Sequence, residues 1–598
     1  MEREECLELL KNWCDGLLRY QIHDRKDARF DGGFFCPACK MIHGRCQDAV
    51  YPLLCAADLT GEKKYQDAAE AVFNWGFNMV CDDGSFYNDA QSAWNGITVF
   101  AVISLCEALN YHGHLLDLET KKQWERRMKT GAEWIAKTIS PEFRNNINYH
   151  ASAAAALALV GTYTKREDFF VKAKRLADYC EMHFLENGLL YGEGQPSEHV
   201  TKRGCRPIDI GYNAEETLPS LLLYAKTVCN DRLIEKIKGI LKKQLLFMLP
   251  DGGWDNSFGT RNYKWTYWGS RTSDGCQAAY GVWGEEEPLF HEAAVRNLNL
   301  YRKCSKDGLL YGGPHYAEHG EEPCIHHTFC HVKVLASMLD SGVWSKERVK
   351  LPSEYADPVC YFPEIDTWKI AKGDYLGTVT GYDFDYMKGG HASGGTLTML
   401  WHKASGPVIM SSMTDYWLKE PHNMQLSLKK SQHRSLTPRI EAHWEGKTYG
   451  SCYDYDAVIQ AEEKENEIWI RSEMELKDEQ HHSADVPILA SLEYGFTDSK
   501  VVIKGAVSAK KSFSECSDPI FVLPIIGRHS QPLFSKQNGW RIVREKAVID
   551  VMPLKKEALE RPEPIFFLSG GFEAWEFKIQ PDEYGTFQIV IHIEETER

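Results

Sequence analysis

The sequence predicts a two-part protein, an N-terminal (α/α) toroid over residues 1–345 and a C-terminal antiparallel β-sandwich domain over residues 346–598. Three observations carry this. A chain of 598 residues exceeds one ordinary domain. Apolar residues recur at spacings of three and four from Cys6 to about Leu339, the period of helices with one buried face. After Pro352-Ser-Glu-Tyr-Ala-Asp-Pro358 the texture changes to short alternating runs bounded by turn residues, the period of half-buried strands.

The clearest predicted helices run over 48–59, 66–80, 93–109, 151–162, 214–228 and 234–247. Loops between them are built on Asp83-Gly84, Asn187-Gly188, Asp251-Gly252 and Asp307-Gly308, dipeptides that favour tight turns. Two of these loops are near copies, Gly188-Leu-Leu-Tyr-Gly192 and Gly308-Leu-Leu-Tyr-Gly312. A spaced repeat of helix pair and glycine-rich loop marks a repetitive helical architecture. Its closed form is a ring of hairpins with the loops gathered at one end. Strands are predicted over 376–382, 395–402, 468–474, 501–507, 539–549 and 587–593, enough for an antiparallel sandwich.

Composition narrows the function. With 43% hydrophobic and 12% aromatic residues the chain buries large cores. A net charge of −16 argues against a nucleic-acid partner, which needs a basic surface, but leaves room for an anionic substrate in a locally basic pocket. The 17 tryptophans and 28 tyrosines supply planes that stack on sugar rings, or simply fill a large core. No run reaches the roughly 18 apolar residues of a membrane helix. The acidic start Met1-Glu-Arg-Glu-Glu is no signal peptide, and 18 cysteines then read as reduced thiols, so a cytoplasmic protein with no membrane partner is expected.

Six segments carry candidate chemistry. Asn146 and His150 lie one helical turn apart at a predicted helix start, where an anionic guest is favoured; capping is the alternative. Tyr212 follows Gly211 at another helix start and becomes a proton shuttle if cations such as Lys202, Arg203 and Arg206 lower its pKa; a core tyrosine is the alternative. The loop from Asp255 to Asp274 carries Arg261, Tyr267, Trp268 and Arg271, forks and rings that suit a carboxylated sugar. His326, His327 and His331 sit on a helix toward the toroid mouth, and the last two have metal-ligand spacing without a third ligand. Cys36-Pro37-Ala38-Cys39 with His43 and Cys46 offers four ligands for a structural zinc, at tighter spacing than usual. At the seam, Gly389-Gly390-His391-Ala392-Ser393-Gly394-Gly395 sets an imidazole on bare backbone before a strand.

The order Asn146/His150, Tyr212, His391 along a toroid and then a β domain resembles the heparinase and alginate-lyase type of polysaccharide lyases. The resemblance implies β-elimination on a uronate-containing glycan, without a cofactor. It implies that Asn146 and His150 neutralise the sugar carboxylate, that Tyr212 and His391 share the proton transfers, and that Arg203, Arg261, Tyr267, Trp268, Arg271 and His326 bind the sugar. That family often carries His-x-His-x-Asp at the β-domain strand, whose second His helps hold zinc. Here the segment reads His391-Ala392-Ser393-Gly394, so that metal is not implied, and Gly211-Tyr212-Asn213 replaces the family's proline-rich tyrosine motif. The expected substrate is an oligosaccharide cut from one end. A toroid-fold glycoside hydrolase is the alternative; it needs two opposed carboxylates, with Asp83, Glu193, Asp209, Glu215, Asp255 and Asp274 as candidates.

Overall fold

A computed structural model describes the chain except residues 1, 25, 90–91, 284–285, 412, 416–433, 510–518, 538, 555–560 and 597–598. The helical half is a closed double ring. Outer helices are α1 (Arg3–Leu18), α3 (Lys63–Trp75), α5 (Leu118–Thr138), α7 (Glu167–Glu181), α9 (Asp231–Gln244) and α11 (Pro288–Lys303). Inner helices are α2 (Val50–Thr60), α4 (Thr98–His112), α6 (Ile147–Thr164), α8, α10 (Gln277–Tyr280) and α12 (Ile325–Asp340). Helix α8 runs on through Ile210–Tyr212, a π-helical turn at Asn213–Thr217, and Leu218–Thr227. Each inner helix packs on the next, and α12 returns to α2, while α1 covers α12 from outside.

Sequence sorts the two rings. Helix α6, INYHASAAAALALVGTYT, is apolar nearly all round, and its small residues let it be buried between neighbours. Helix α9, DRLIEKIKGILKKQ, buries only Leu233, Ile237, Ile240, Leu241 and Gln244 and turns its charges outward. The repeated Gly-Leu-Leu-Tyr-Gly loops occupy equivalent positions, each after an outer helix and before an inner one. At the closing seam Gly308 has φ +69°, and Gly16 of α1 packs so closely that a Cβ there would meet the Gly308 carbonyl.

Because the inner helices alternate with outer ones, their N-termini gather at one end, and the β domain sits over that end. All its strand pairs among the described residues are antiparallel. They form two five-stranded sheets and one eight-stranded sheet around a second core. The run predicted as one strand over 539–549 is a hairpin, Gly539–Val543 and Ala547–Pro553, because Arg544-Glu545-Lys546 turns the chain and pairs Val543 with Val548. The two halves are clamped together. Asp255 of the helical half takes Lys369 and Thr378 of the first sheet, and Trp265 bonds the Gly570 backbone. The helical part ends at Asp340 and the first sheet strand begins at Val359.

Candidate active site

Tyr212 lies at the first turn of α8, where Asp209 caps the helix by accepting from the Tyr212 amide. The phenol is 2% exposed and hydrogen-bonds Thr272 Oγ1 at 2.6 Å. Arg261 covers its face, the guanidinium carbon 3.4 Å from the ring centroid, and Lys264 stands 5.7 Å from it. Burial pushes this phenol well above its usual range, against the pull of Arg261, so it rests protonated. The cations expected to tune it are elsewhere: Lys202 pairs with Asp456, Arg203 with Asp366, and Arg206 stacks on Tyr191.

The π-helical turn after Tyr212 directs two successive carboxylates inward. Glu215 accepts from the Ser270 amide, Ser273 and Tyr301. Glu216 accepts from Asn148, which also donates its backbone N–H to Glu193. Glu193 in turn holds Arg261 at 3.0 Å. Burial raises Glu193 and Glu216 to about 7 and Glu215 to about 8. Below them Arg45 and Lys333 share Asp48 and Asp274, and Arg45 also donates to the Thr272 carbonyl. The other carboxylates named as hydrolase candidates are tied up: Asp83 caps a turn at Ser85, Asp209 caps α8, and Asp255 clamps the β domain. This network braces Tyr212 and Arg261.

Of the residues predicted at the start of α6, Asn146 is its N-cap, and its Oδ1 is buried without a partner. His150 turns away from Tyr212, with Nε2 on the Ser140 carbonyl and its ring against Tyr179. Burial lowers His150 to about 4, so it is neutral and cannot offset a carboxylate. The residue between them, Tyr149, faces the site. It is partly exposed and within electrostatic reach of Arg261, Glu216, Arg45 and Tyr212; burial raises it to about 12. Trp94 packs edge-on against Tyr149, 5.2 Å between centroids, and is itself partly exposed.

The long loop divides its predicted roles. Arg271 is 2% exposed and its side chain donates to the Leu568 carbonyl; its Nε and Nη1 have no partner, and no carboxylate pairs with it among the described residues. Tyr267 and Trp268 are not sugar platforms. Tyr267 bonds both Asp251 oxygens at 2.9 Å and packs on Phe572, while Trp268 donates to the Tyr311 carbonyl and packs on His331. Arg203 belongs to the clamp between domains, holding Asp366 and the Tyr455 and Ala457 carbonyls. His326 is buried against His43 and Phe329. His327 and His331 gain no third ligand among the described residues.

His391 is buried at the seam, but both ring nitrogens face backbone carbonyls, Nε2 that of Phe384 at 2.9 Å and Nδ1 that of Ala392 at 3.2 Å. Its ring packs on Tyr382. It holds the loop that brings Phe384 and Tyr386 of the β domain against Gly194 of the toroid. Sequence reasoning missed Tyr149, Arg45 and Thr272. Tyr149 was signalled by lying inside the Asn146–His150 segment; Arg45 and Thr272 carried no local signal.

The profile described as the ulvan lyase N-terminal domain matches residues 10–355, and that of the ulvan lyase C-terminal domain matches residues 359–594. A broad-specificity ulvan lyase of Formosa agariphila is 38% identical over 565 residues, covering 92% of this chain and 87% of the relative. Among solved structures, chondroitin AC lyase of Streptomyces coelicolor A3 in complex with chondroitin sulphate superimposes with a TM-score of 0.54 at 10% identity, covering 99% of this chain and 79% of that one. A heparinase III structure gives 0.50 at 11% identity, covering 99% and 84%. These structures share the fold, a helical toroid with antiparallel sheets over its loop end.

Proposed function

The chain belongs to the ulvan lyase family, and from that premise we propose that Tyr212, Tyr149 and Arg271 carry out its elimination. It is a carbon–oxygen lyase acting on a uronic-acid-containing polysaccharide. The relative's activity makes ulvan the first polymer to offer it.

The single observation behind the assignment is the Tyr212–Arg261 stack beside an arginine with unmet donors. Arg271 would bind the uronate carboxylate through the unmet donors of its guanidinium, and the Asn146 amide would add a hydrogen bond as charge builds on that carboxylate. Tyr149, the less buried phenol, rests protonated; once it has lost that proton to solvent, its phenolate, stabilised by Arg261 and Arg45, would take the C5 proton. The C4–O4 bond breaks as the C4–C5 double bond forms, and Tyr212 gives its proton to O4. A proton passed from Tyr149 to Tyr212 then restores the starting pair, a Tyr149 phenolate and a Tyr212 phenol. His391 would act as a positioning residue for the seam loop, not as a proton carrier.

Elimination leaves a double bond conjugated with the carboxylate, which absorbs in the ultraviolet. Wild-type enzyme on ulvan should raise that absorbance, and Tyr149→Phe and Tyr212→Phe should each abolish most of the rise. Cleavage without absorbance would mean hydrolysis and end this reading.

The same site supports a preference for oligosaccharides cut from one end, since Tyr212 and Arg271 are nearly sealed beneath the β domain. Work in the cytoplasm is supported by the seventeen described cysteines, none of them in a disulfide and fourteen of them buried. Cell fractionation with a tagged chain tests the second point.

A further inference from the structure

We propose that this protein carries a structural zinc ion held by Cys36, Cys39, His43 and Cys324, a site that pins the first and last inner helices of the ring together. The proposal is independent of the catalytic reading.

The geometry comes first. Cys324 Sγ lies 3.9 Å from Cys36 Sγ and 3.6 Å from Cys39 Sγ. Tetrahedral zinc with Zn–S bonds of about 2.3 Å sets its sulfurs about 3.8 Å apart. The ligand atoms of Cys36, Cys39 and His43 lie within 4.8 Å of one another. All four residues are buried, so coordination would be closed, with no place for water or substrate.

The imidazole supplies a second observation. His43 is 1% exposed, and neither ring nitrogen has a hydrogen-bond partner. A buried ring with both nitrogens unmet is costly, and a metal on one of them removes half of that cost. Three thiolates and an imidazole select zinc over magnesium or calcium.

The chain around the thiols is shaped for the ion. Phe35–Cys36 pairs with Met41–Ile42, and the turn between them closes with the Lys40 amide on the Cys36 carbonyl and Lys40 at φ 57°. That turn brings the Cys39 amide to 3.4 Å from Cys36 Sγ, a donor that stabilises a thiolate. The ligand set differs from the one expected from sequence. Cys46 turns to the Phe34 backbone, and Cys324 takes its place. His43 leads through a short 3₁₀ turn into α2, and Cys324 directly precedes α12, so the ion would bridge the ring where its two ends meet.

The test uses the full chain, purified under reducing conditions, with metal measured by mass spectrometry. About one zinc per chain is expected, falling at least tenfold in Cys36→Ser and in Cys324→Ser and unchanged in Cys229→Ser, an exposed cysteine elsewhere. Should the first two variants fail to fold, cobalt added to metal-stripped wild type decides, and absorption bands of a tetrahedral thiolate complex are expected. Reduced wild type that takes up neither zinc nor cobalt overturns the proposal. So does an intact mass showing a Cys39–Cys324 disulfide in metal-free protein, or zinc retained in both serine variants.

Discussion

Arg261 lies flat on the Tyr212 ring, 3.4 Å from its centroid, and is fixed there by Glu193 at 3.0 Å. The cation that serves this tyrosine therefore comes from the following loop, 49 positions on, and not from the basic residues just upstream. A guanidinium on the face stabilises a developing phenolate without drawing the proton off at rest.

Tyr212→Phe should lower turnover by roughly 10²–10⁴-fold, the worth of a proton-transfer group, with the melting temperature little changed. Initial rates by ultraviolet absorbance check this. A variant keeping more than about a tenth of the wild-type rate would exclude Tyr212 from proton transfer.

Arg271→Lys keeps a charge but loses the fork. A rise in KM of about tenfold or more is expected, with a smaller fall in kcat, since a point charge cannot pair two carboxylate oxygens. Unchanged KM on a uronate substrate would move the carboxylate site elsewhere.

Tyr267→Phe tests the reassigned aromatic. Removing the hydroxyl leaves half-buried Asp251 with only the Gly253 amide as donor, which should cost about 1 kcal/mol of stability. KM should stay at the wild-type value. A raised KM with an unchanged denaturation midpoint would restore Tyr267 to the sugar site.

Glu215 gives a pH signature of stability. Burial raises its carboxyl to about 8, so the folded chain keeps a proton that the unfolded chain has released above its own lower pKa. Protons bound unfolded minus folded is then negative, and stability falls as pH rises from about 4.5 to about 8, by at most about 1.4 kcal/mol per unit from this group. Glu215→Gln should flatten that fall in melting curves. Parallel wild-type and variant profiles would show that Glu215 is not the group responsible.

Removal of terminal units predicts a slow fall in viscosity relative to the ultraviolet signal on an intact polymer. A fast viscosity drop with few new ends would mean internal cutting and an open cleft.

What the sequence determined by itself is local. The apolar spacing in 151–162 and the alternation in 468–474 mark helix α6 and the strand Ile468–Glu475, because side-chain burial follows backbone period within a few residues. The same locality made Cys36, Cys39 and His43 visible as a group. Ring closure decided the rest. It brings Cys324 to Cys39 across 285 positions and Arg45 to Thr272 across 227, and no spacing rule in one sequence reaches that far. It also decided direction. Arg271 keeps unmet donors while Trp268, three residues before it, packs into the core, and His391 turns its nitrogens to its own backbone, because only the packed neighbours fix which side of a loop faces the cleft.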